Sequence, residues 1–315
     1  MVRDGQLPTG SAGHETGRSA RVPAPLLILV AGVLWGTIGI FGKAADLSGL
    51  DWADVAFWRA AATGGLFLVH AALTRARLPR GRDLALTLGF GVVAVAVLYA
   101  SFQLAVLTGG AGLAAVLLYS APAFVAVMAW AFLRERMTWV ELVGIAATIG
   151  GVALVSLSTG GASIGVAAIG WGLLAGFTYS LYYIFGKAMF PRYNAVALFG
   201  VALLAGAVAL LPFAEFPAVG SDAVASIAGL AIVATYLPYL AYARGLTRMP
   251  ATHAAVIASI EPVVAATLSA LLYGERLGWM GILGASLVLS AGIWLSVAHT
   301  APRPRLAWLR RRRGV

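Results

Sequence analysis

The chain has 315 residues, 61% hydrophobic and 11% charged, with a mean hydropathy of +0.90. A soluble domain carries roughly 25% charged residues, so this composition excludes a protein that covers its surface with water-compatible groups and points to a membrane. The net charge of +10 does not indicate nucleic acid, because most of the excess lies in the tails and one short loop beside apolar runs, where it acts as a topology signal; the lack of cysteine excludes disulfides, iron–sulfur clusters and thiolate metal sites.

Residues 1–24 form a polar, Gly/Ser-rich tail with three arginines, and no cleaved signal peptide is expected before the first apolar run. Ten apolar segments of about 19–24 residues follow, at roughly 25–44, 53–73, 84–107, 110–133, 139–157, 165–187, 194–213, 224–246, 252–274 and 278–298. Each is long enough to cross a hydrocarbon core of ~30 Å as a helix. Hydrocarbon cannot satisfy backbone groups, and unbroken apolar runs do not fit alternating barrel strands, so an all-α membrane protein with ten transmembrane helices is predicted. With the N-terminus placed in the cytoplasm, nineteen Lys and Arg fall inside and three, Lys43, Arg59 and Arg276, fall outside or within a span. That asymmetry predicts both termini in the cytoplasm and a multi-pass protein of the cytoplasmic membrane.

The chain also repeats itself. Ile40-Phe-Gly-Lys-Ala44 returns letter for letter at Ile184–Ala188, 144 positions on, with Ala31-Gly32 matching Ala175-Gly176 and Trp35 matching Tyr179. Pro122, the Leu133–Arg136 stretch and Gly144 precede Pro262, Tyr273–Arg276 and Gly284 by 140 positions. One unit is therefore duplicated: a first repeat over 25–158, a linker at 159–164, a second repeat over 165–298 and a basic tail at 299–315. Five helices per repeat is an odd number, so the copies are expected to enter the membrane from opposite sides. Inverted repeats of this kind characterise secondary transporters, with the substrate site near mid-membrane between the repeats. Small residues such as Gly64-Gly65 and Gly150-Gly151 are expected to serve close helix packing. Arg310–Arg313 are read as an orientation signal, with contact to anionic lipid as the alternative.

Glu261 is the sharpest candidate for chemistry, because a carboxylate in mid-span is costly unless it faces a cavity, finds a partner or takes up a proton. It is either a proton-coupling or cation-binding group, or a structural acid at a proline break; its counterpart in the first repeat is Ala121. Pro122, Pro238 and Pro262 each remove a backbone donor within a span and are read as hinges for gating or as static kinks. Arg59, in the second segment, has Asp46, Asp51 and Asp54 as neighbouring ion-pair partners, and is read as a charge anchor or an anion-recognition group. Lys43 and Lys187, which close the twin pentapeptides, are read as snorkelling charges, with a gate role as the alternative. Trp35, Tyr99, Gln103, Tyr119, Tyr179 and Tyr239 are candidate cavity-lining residues, since a mid-depth tyrosine needs a hydroxyl partner and a wet cavity supplies one. Tyr182 and Tyr183 share the helix face of Tyr179, and Tyr236 and Tyr242 extend that of Tyr239. His70 and His253 receive no role. No Gly-rich nucleotide loop, Ser/His/Asp set or metal-ligand cluster is present in the sequence, so neither an ATP-driven pump nor an enzyme is indicated, and no metal or cofactor is expected.

Leu34-Trp35-Gly36, Phe57-Trp58-Arg59, Leu133-Arg134-Glu135-Arg136, Ile260-Glu261-Pro262 and Tyr273-Gly274-Glu275-Arg276 together resemble the EamA-type branch of the drug/metabolite transporter superfamily, over about residues 25–298. The resemblance implies ten helices in inverted repeats, a central cavity and secondary transport, commonly export of amino acids or related metabolites. The chain departs from the pattern at Leu133-Arg134-Glu135, where Leu-Gly-Glu is usual; the second copy keeps Gly274-Glu275. Three readings follow: a secondary transporter of small organic solutes working by alternating access, with protons as a coupling ion; an uncoupled facilitator or exchanger of the same fold; and a non-transport membrane scaffold or enzyme. The partners expected are a small-molecule substrate, protons and membrane lipid, with the protein a monomer or homodimer.

Overall fold

In a computed structural model the described residues are 22–135, 137–158, 165–273 and 278–300. Both tails beyond these limits, the linker at 159–164, Arg136 and the Gly274-Glu275-Arg276 stretch lie outside them. The described residues are all-helical. In chain order the α-helices are α1 (Ala24–Trp35), α2 (Ile38–Leu47), α3 (Trp52–Leu73), α4 (Arg82–Gly91), α5 (Leu98–Leu118), α6 (Ala121–Leu133), α7 (Trp139–Ser158), α8 (Val166–Met189), α9 (Ala195–Leu210), α10 (Ser221–Ala231), α11 (Leu237–Leu246), α12 (Ala251–Ala258), α13 (Glu261–Tyr273) and α14 (Trp279–Thr300).

Read as continuous rods, eight stretches among the described residues are long and apolar enough to cross a membrane, from Ala24–Leu47 to Ala251–Leu272. They coincide with eight of the ten segments expected from sequence. The fifth and tenth segments fall on shorter apolar stretches, Trp139–Leu154 and Trp279–Trp294.

Several spanning stretches are not simple helices. α1 ends at Trp35 and the next helix, α2, starts at Ile38. Wide π turns at Val92–Val97 and Ile232–Tyr236 join α4 to α5 and α10 to α11, and the second begins 140 positions after the first. Short breaks at Tyr119-Ser120 and Ser259-Ile260 separate α5 from α6 and α12 from α13, again 140 positions apart. Pro122, Pro238 and Pro262 are each the second residue of the helix that follows a break or π turn. At Pro122 and Pro262, which open helices after breaks, the missing N–H costs little, because a helix's first donors have no intrahelical acceptor. Pro238 instead continues a helix straight out of the π turn, where the regular hydrogen-bond ladder is already interrupted.

Pairing follows the same duplication. α1 packs on α11 and α5 on α8, while α3 packs on α9 and α7 on α14. Gly32 of α1 lies against the break of the ninth segment, where an added Cβ would stand 2.6 Å from Ile260 Cγ2 and 2.9 Å from the Ala258 carbonyl. Its repeat partner Gly176 of α8 lies against the break of the fourth, where a Cβ would stand 2.6 Å from the Leu117 carbonyl and 2.7 Å from Ser120 Oγ. Backbone meets backbone at both places, so neither neighbour yields easily. Gly176→Ala is therefore expected to lower stability by about 1–3 kcal/mol through overpacking, seen as a lower melting temperature in detergent. Gly65→Ala, which meets nothing within 4 Å, should leave the melting temperature unchanged or slightly raised.

The departure at Arg134 has a local explanation. α6 ends with Arg134 in the left-handed region, at φ 57° and ψ 26°, the conformation that favours glycine. The arginine accepts a backbone strain of about 1–2 kcal/mol and the turn is kept. The following Glu135 N–H bonds back to the Ala129 carbonyl at 3.1 Å. The Glu135 carboxylate accepts the Ala251 N–H at 3.1 and 3.2 Å, capping the start of α12. The first-copy motif therefore ties the end of the fourth segment to the start of the ninth.

Candidate functional site

The two charges singled out within spans face one interior region. Arg59, from α3, donates from Nε to Thr235 Oγ1 at 2.8 Å and lies over the Tyr99 ring, 5.1 Å from its centroid. Its other guanidinium N–H groups bond to none of the described residues. The Thr235 hydroxyl donates in turn to the Leu230 carbonyl at 2.7 Å, and Thr63 Oγ1 bonds the Ala231 carbonyl at 3.3 Å. A π turn loosens the regular helical hydrogen-bond ladder, and these hydroxyls bond the carbonyls beside it. Glu261 opens α13; the Tyr179 hydroxyl donates to its Oε2 at 3.5 Å, the outer limit of a hydrogen bond, and Tyr119 turns toward the same carboxylate. Arg59 and Glu261 lie within electrostatic reach of one another.

An aromatic cluster joins them. Tyr179 meets Tyr182 and Tyr183 edge-on at 6.3 and 6.0 Å between ring centroids. Tyr182 meets Tyr239 at 5.9 Å, Tyr183 meets Tyr242 at 5.5 Å, and Trp35 closes the group against Tyr239 at 5.9 Å and Tyr242 at 5.6 Å. The hydroxyls of Tyr99 and Tyr242 are buried with no hydrogen-bond partner among the described residues, while that of Tyr182 has only the Tyr239 hydroxyl beside it. A buried donor left unpaired costs about 1–3 kcal/mol, so two of them around one region mark a place suited to water or a polar solute.

The structure thus brings together Trp35, Arg59, Tyr99, Tyr119, Tyr179, Tyr239 and Glu261. Gln103 is half-buried one turn beyond Tyr99, with no side-chain hydrogen bond among the described residues. Pro122 and Pro262 follow the breaks beside Tyr119 and Glu261, and Pro238 precedes Tyr239. Arg59 does not pair with Asp46, Asp51 or Asp54 as the sequence suggested. Asp51 caps α3 through the Asp54 N–H at 2.8 Å, and Asp54 accepts the Glu215 and Phe216 N–H groups at 3.0 Å each. Lys43 is exposed on α2. Lys187 does more than reach for the interface: it donates to the Met249 carbonyl at 3.0 Å and holds the loop between α11 and α12.

Two histidines left without a role have partners. His253 Nε2 lies 3.0 Å from Glu141 Oε1, and the Thr138 N–H bonds the other oxygen of that carboxylate at 2.6 Å. His70 Nδ1 lies 2.7 Å from the Tyr236 hydroxyl, and the Tyr236 ring packs on Phe67, which also meets Tyr239. Tyr182, Tyr183 and Tyr242 stand with Tyr179 and Tyr239 as their shared helix faces imply, whereas Thr235 is a site residue that sequence reasoning missed. The i, i+4, i+7 spacing of Thr235, Tyr239 and Tyr242 was the signal that places them on one face.

Comparison with known proteins bears on the family and the fold. The model of the EamA-like transporter family matches twice, over residues 22–157 and 166–297. A transporter of Archaeoglobus fulgidus is 30% identical over 220 residues, covering 69% of this chain and 78% of its own. A probable terminal-alkyne amino-acid exporter of Streptantibioticus cattleyicolor is 27% identical over 73% of this chain and 79% of its own. A probable amino-acid metabolite efflux pump of Salmonella typhimurium is 28% identical over 68% and 77%. A solved crystal structure superposes with a TM-score of 0.74 at 16% identity, covering 88% of this chain and 97% of that one, which shows the fold alone. Helices suited to spanning a bilayer, in a chain matched across nearly its whole described length, make this a multi-pass membrane protein that belongs to the EamA-like transporter family.

Proposed function

We propose that the protein is a secondary transporter that moves amino acids or related zwitterionic metabolites across the cytoplasmic membrane, in the export direction, by alternating access. The observation that carries this reading is the placement of Arg59 and Glu261, one from each copy, at a single aromatic-walled centre. A zwitterion needs a cation for its carboxylate and a carboxylate for its ammonium, and ring faces suit an ammonium or an apolar side chain. The relatives named as amino-acid exporters support the substrate class. In this reading the chain crosses the membrane ten times, as inverted repeats over 25–158 and 165–298, with both termini in the cytoplasm. The matched irregularities at 92–97 and 232–236, and at 119–120 and 259–260, support that arrangement, as does the cross-pairing of α1 with α11 and α5 with α8. The prolines that follow the breaks serve as hinges, and Glu261 carries the coupling proton.

The test is counterflow. Full-length protein in proteoliposomes, loaded with unlabelled amino acids, should take up labelled amino acids faster than protein-free vesicles. Nucleosides should show no such exchange. If folded, inserted protein exchanges no amino acid, the substrate class is wrong.

A further inference from the structure

A second polar feature lies away from the central cluster, where the loop between α3 and α4 meets the loop between α8 and α9. Arg77, Leu78, Arg80, Arg192 and Tyr193 line a cleft of about 600 Å³ there. Asp83 lies beside it and is already engaged. It accepts from Arg192 Nη1 at 2.9 Å, pairs with Nη2 at 2.8 Å, and accepts the Tyr193 hydroxyl at 2.9 Å. That hydrogen bond holds the Tyr193 phenol above its ordinary range, so the ring stays a neutral donor. Asp83 thereby fixes one wall of the cleft. Arg77 and Arg80, which also line the cleft, form no ion pair among the described residues.

We propose that this cleft binds the phosphate headgroup of an anionic phospholipid. Arginine's planar fork suits phosphate oxygens, and Arg77 and Arg80 line a cleft whose nearby acid is already taken up by Arg192. The position favours lipid over a dissolved phosphate. The cleft sits directly beyond the ends of Trp52–Leu73 and Val166–Met189 and at the start of Arg82–Ala111, all long and apolar enough to span, which is headgroup depth. Its apolar edge is Leu78, 48% exposed, and one turn into α4 stands Leu86, 50% exposed. A lipid can lay its acyl chain along such residues, whereas a free anion gains nothing from them. Basic pockets beside span ends on the cytoplasmic face are a known setting for anionic headgroups, and the arginine asymmetry of the sequence assigns these loops to that face.

Native mass spectrometry of the full-length protein, released from detergent with added phosphatidylglycerol or phosphatidylcholine, tests the proposal. Wild type should retain phosphatidylglycerol in preference to phosphatidylcholine. Arg77→Gln/Arg80→Gln should bind phosphatidylglycerol about tenfold or more weakly. Arg77→Lys/Arg80→Lys should restore part of the loss, which separates charge from a folding defect. A chain with Arg310, Arg311, Arg312 and Arg313 changed to Gln should bind as wild type. Equal retention of the two lipids by wild type, or unchanged binding by the Arg77/Arg80 pair, would overturn the proposal. So would displacement of phosphatidylglycerol by millimolar inorganic phosphate, which would make the site one for a soluble anion.

Discussion

Glu261→Gln is expected to weaken amino-acid counterflow by about 10- to 100-fold in apparent affinity, and to remove any acceleration by an imposed pH gradient. The side chain keeps its shape and its reach to Tyr179 but loses its charge. A hydrogen bond to a charged group is worth about 1.5–3 kcal/mol, which converts to that range of affinity. A neutral amide also has no carboxylate proton to take up and release. Side-by-side transport by wild type and variant in the same vesicles, with and without a pH gradient, separates the two effects. Loss of only the gradient-driven part would make Glu261 a proton carrier that leaves the substrate alone. Wild-type behaviour in both respects would reduce Glu261 to a structural acid, and the protein would then be read as an uncoupled exchanger.

Arg59→Gln should change what is carried more than how fast it is carried. The amide can still donate to Thr235, so the local fold has a substitute for the hydrogen bond at 2.8 Å. It cannot offer a cation to a carboxylate. Affinity for amino acids should fall by about 10- to 100-fold, while their decarboxylated amines, which never used the arginine, should be carried as in wild type. The ratio of the two affinities, measured by competition against one labelled substrate, is the informative quantity because it cancels losses of expression or insertion. Equal losses for amino acid and amine would place Arg59 in the scaffold and leave the carboxylate without a partner.

The residues differed in how much of their setting the sequence carried. Glu261 announced itself because a carboxylate inside an apolar run has few inexpensive explanations. The tyrosines of α8 and α11 were legible through helical spacing, a local property. Arg59 was legible as a residue but not in its partner. Asp46, Asp51 and Asp54 are its nearest acids in sequence, yet its bond crosses 176 positions to Thr235, and Asp54 is spent on backbone groups 161 and 162 positions away. His253 and Glu141 likewise meet across 112 positions. Contacts of this kind depend on which helices become neighbours, and hydropathy carries no information about that. The α6 turn is a subtler case. The arginine at position 134 looked like a break in the motif, whereas the backbone holds the glycine-like conformation and absorbs the strain.

The two π turns carry a consequence for how this chain tolerates change. Each fits one extra residue into a helix that would otherwise continue smoothly. Deleting a single residue from Val92–Val97 would let the turn close to regular α-helix with the segments on either side still facing as before, because the wide turn already absorbs the extra residue. Tyr99 would stay over the Arg59 guanidinium, and the same deletion in Ile232–Tyr236 would leave Tyr239 and Tyr242 against Trp35. A one-residue deletion in the regular helix nearby would instead rotate everything beyond it by about 100°. These two turns are therefore the places in their spans where a single-residue gap should be borne most easily, at the cost of the loosened carbonyls beside the second turn that take the Thr63 and Thr235 hydroxyls.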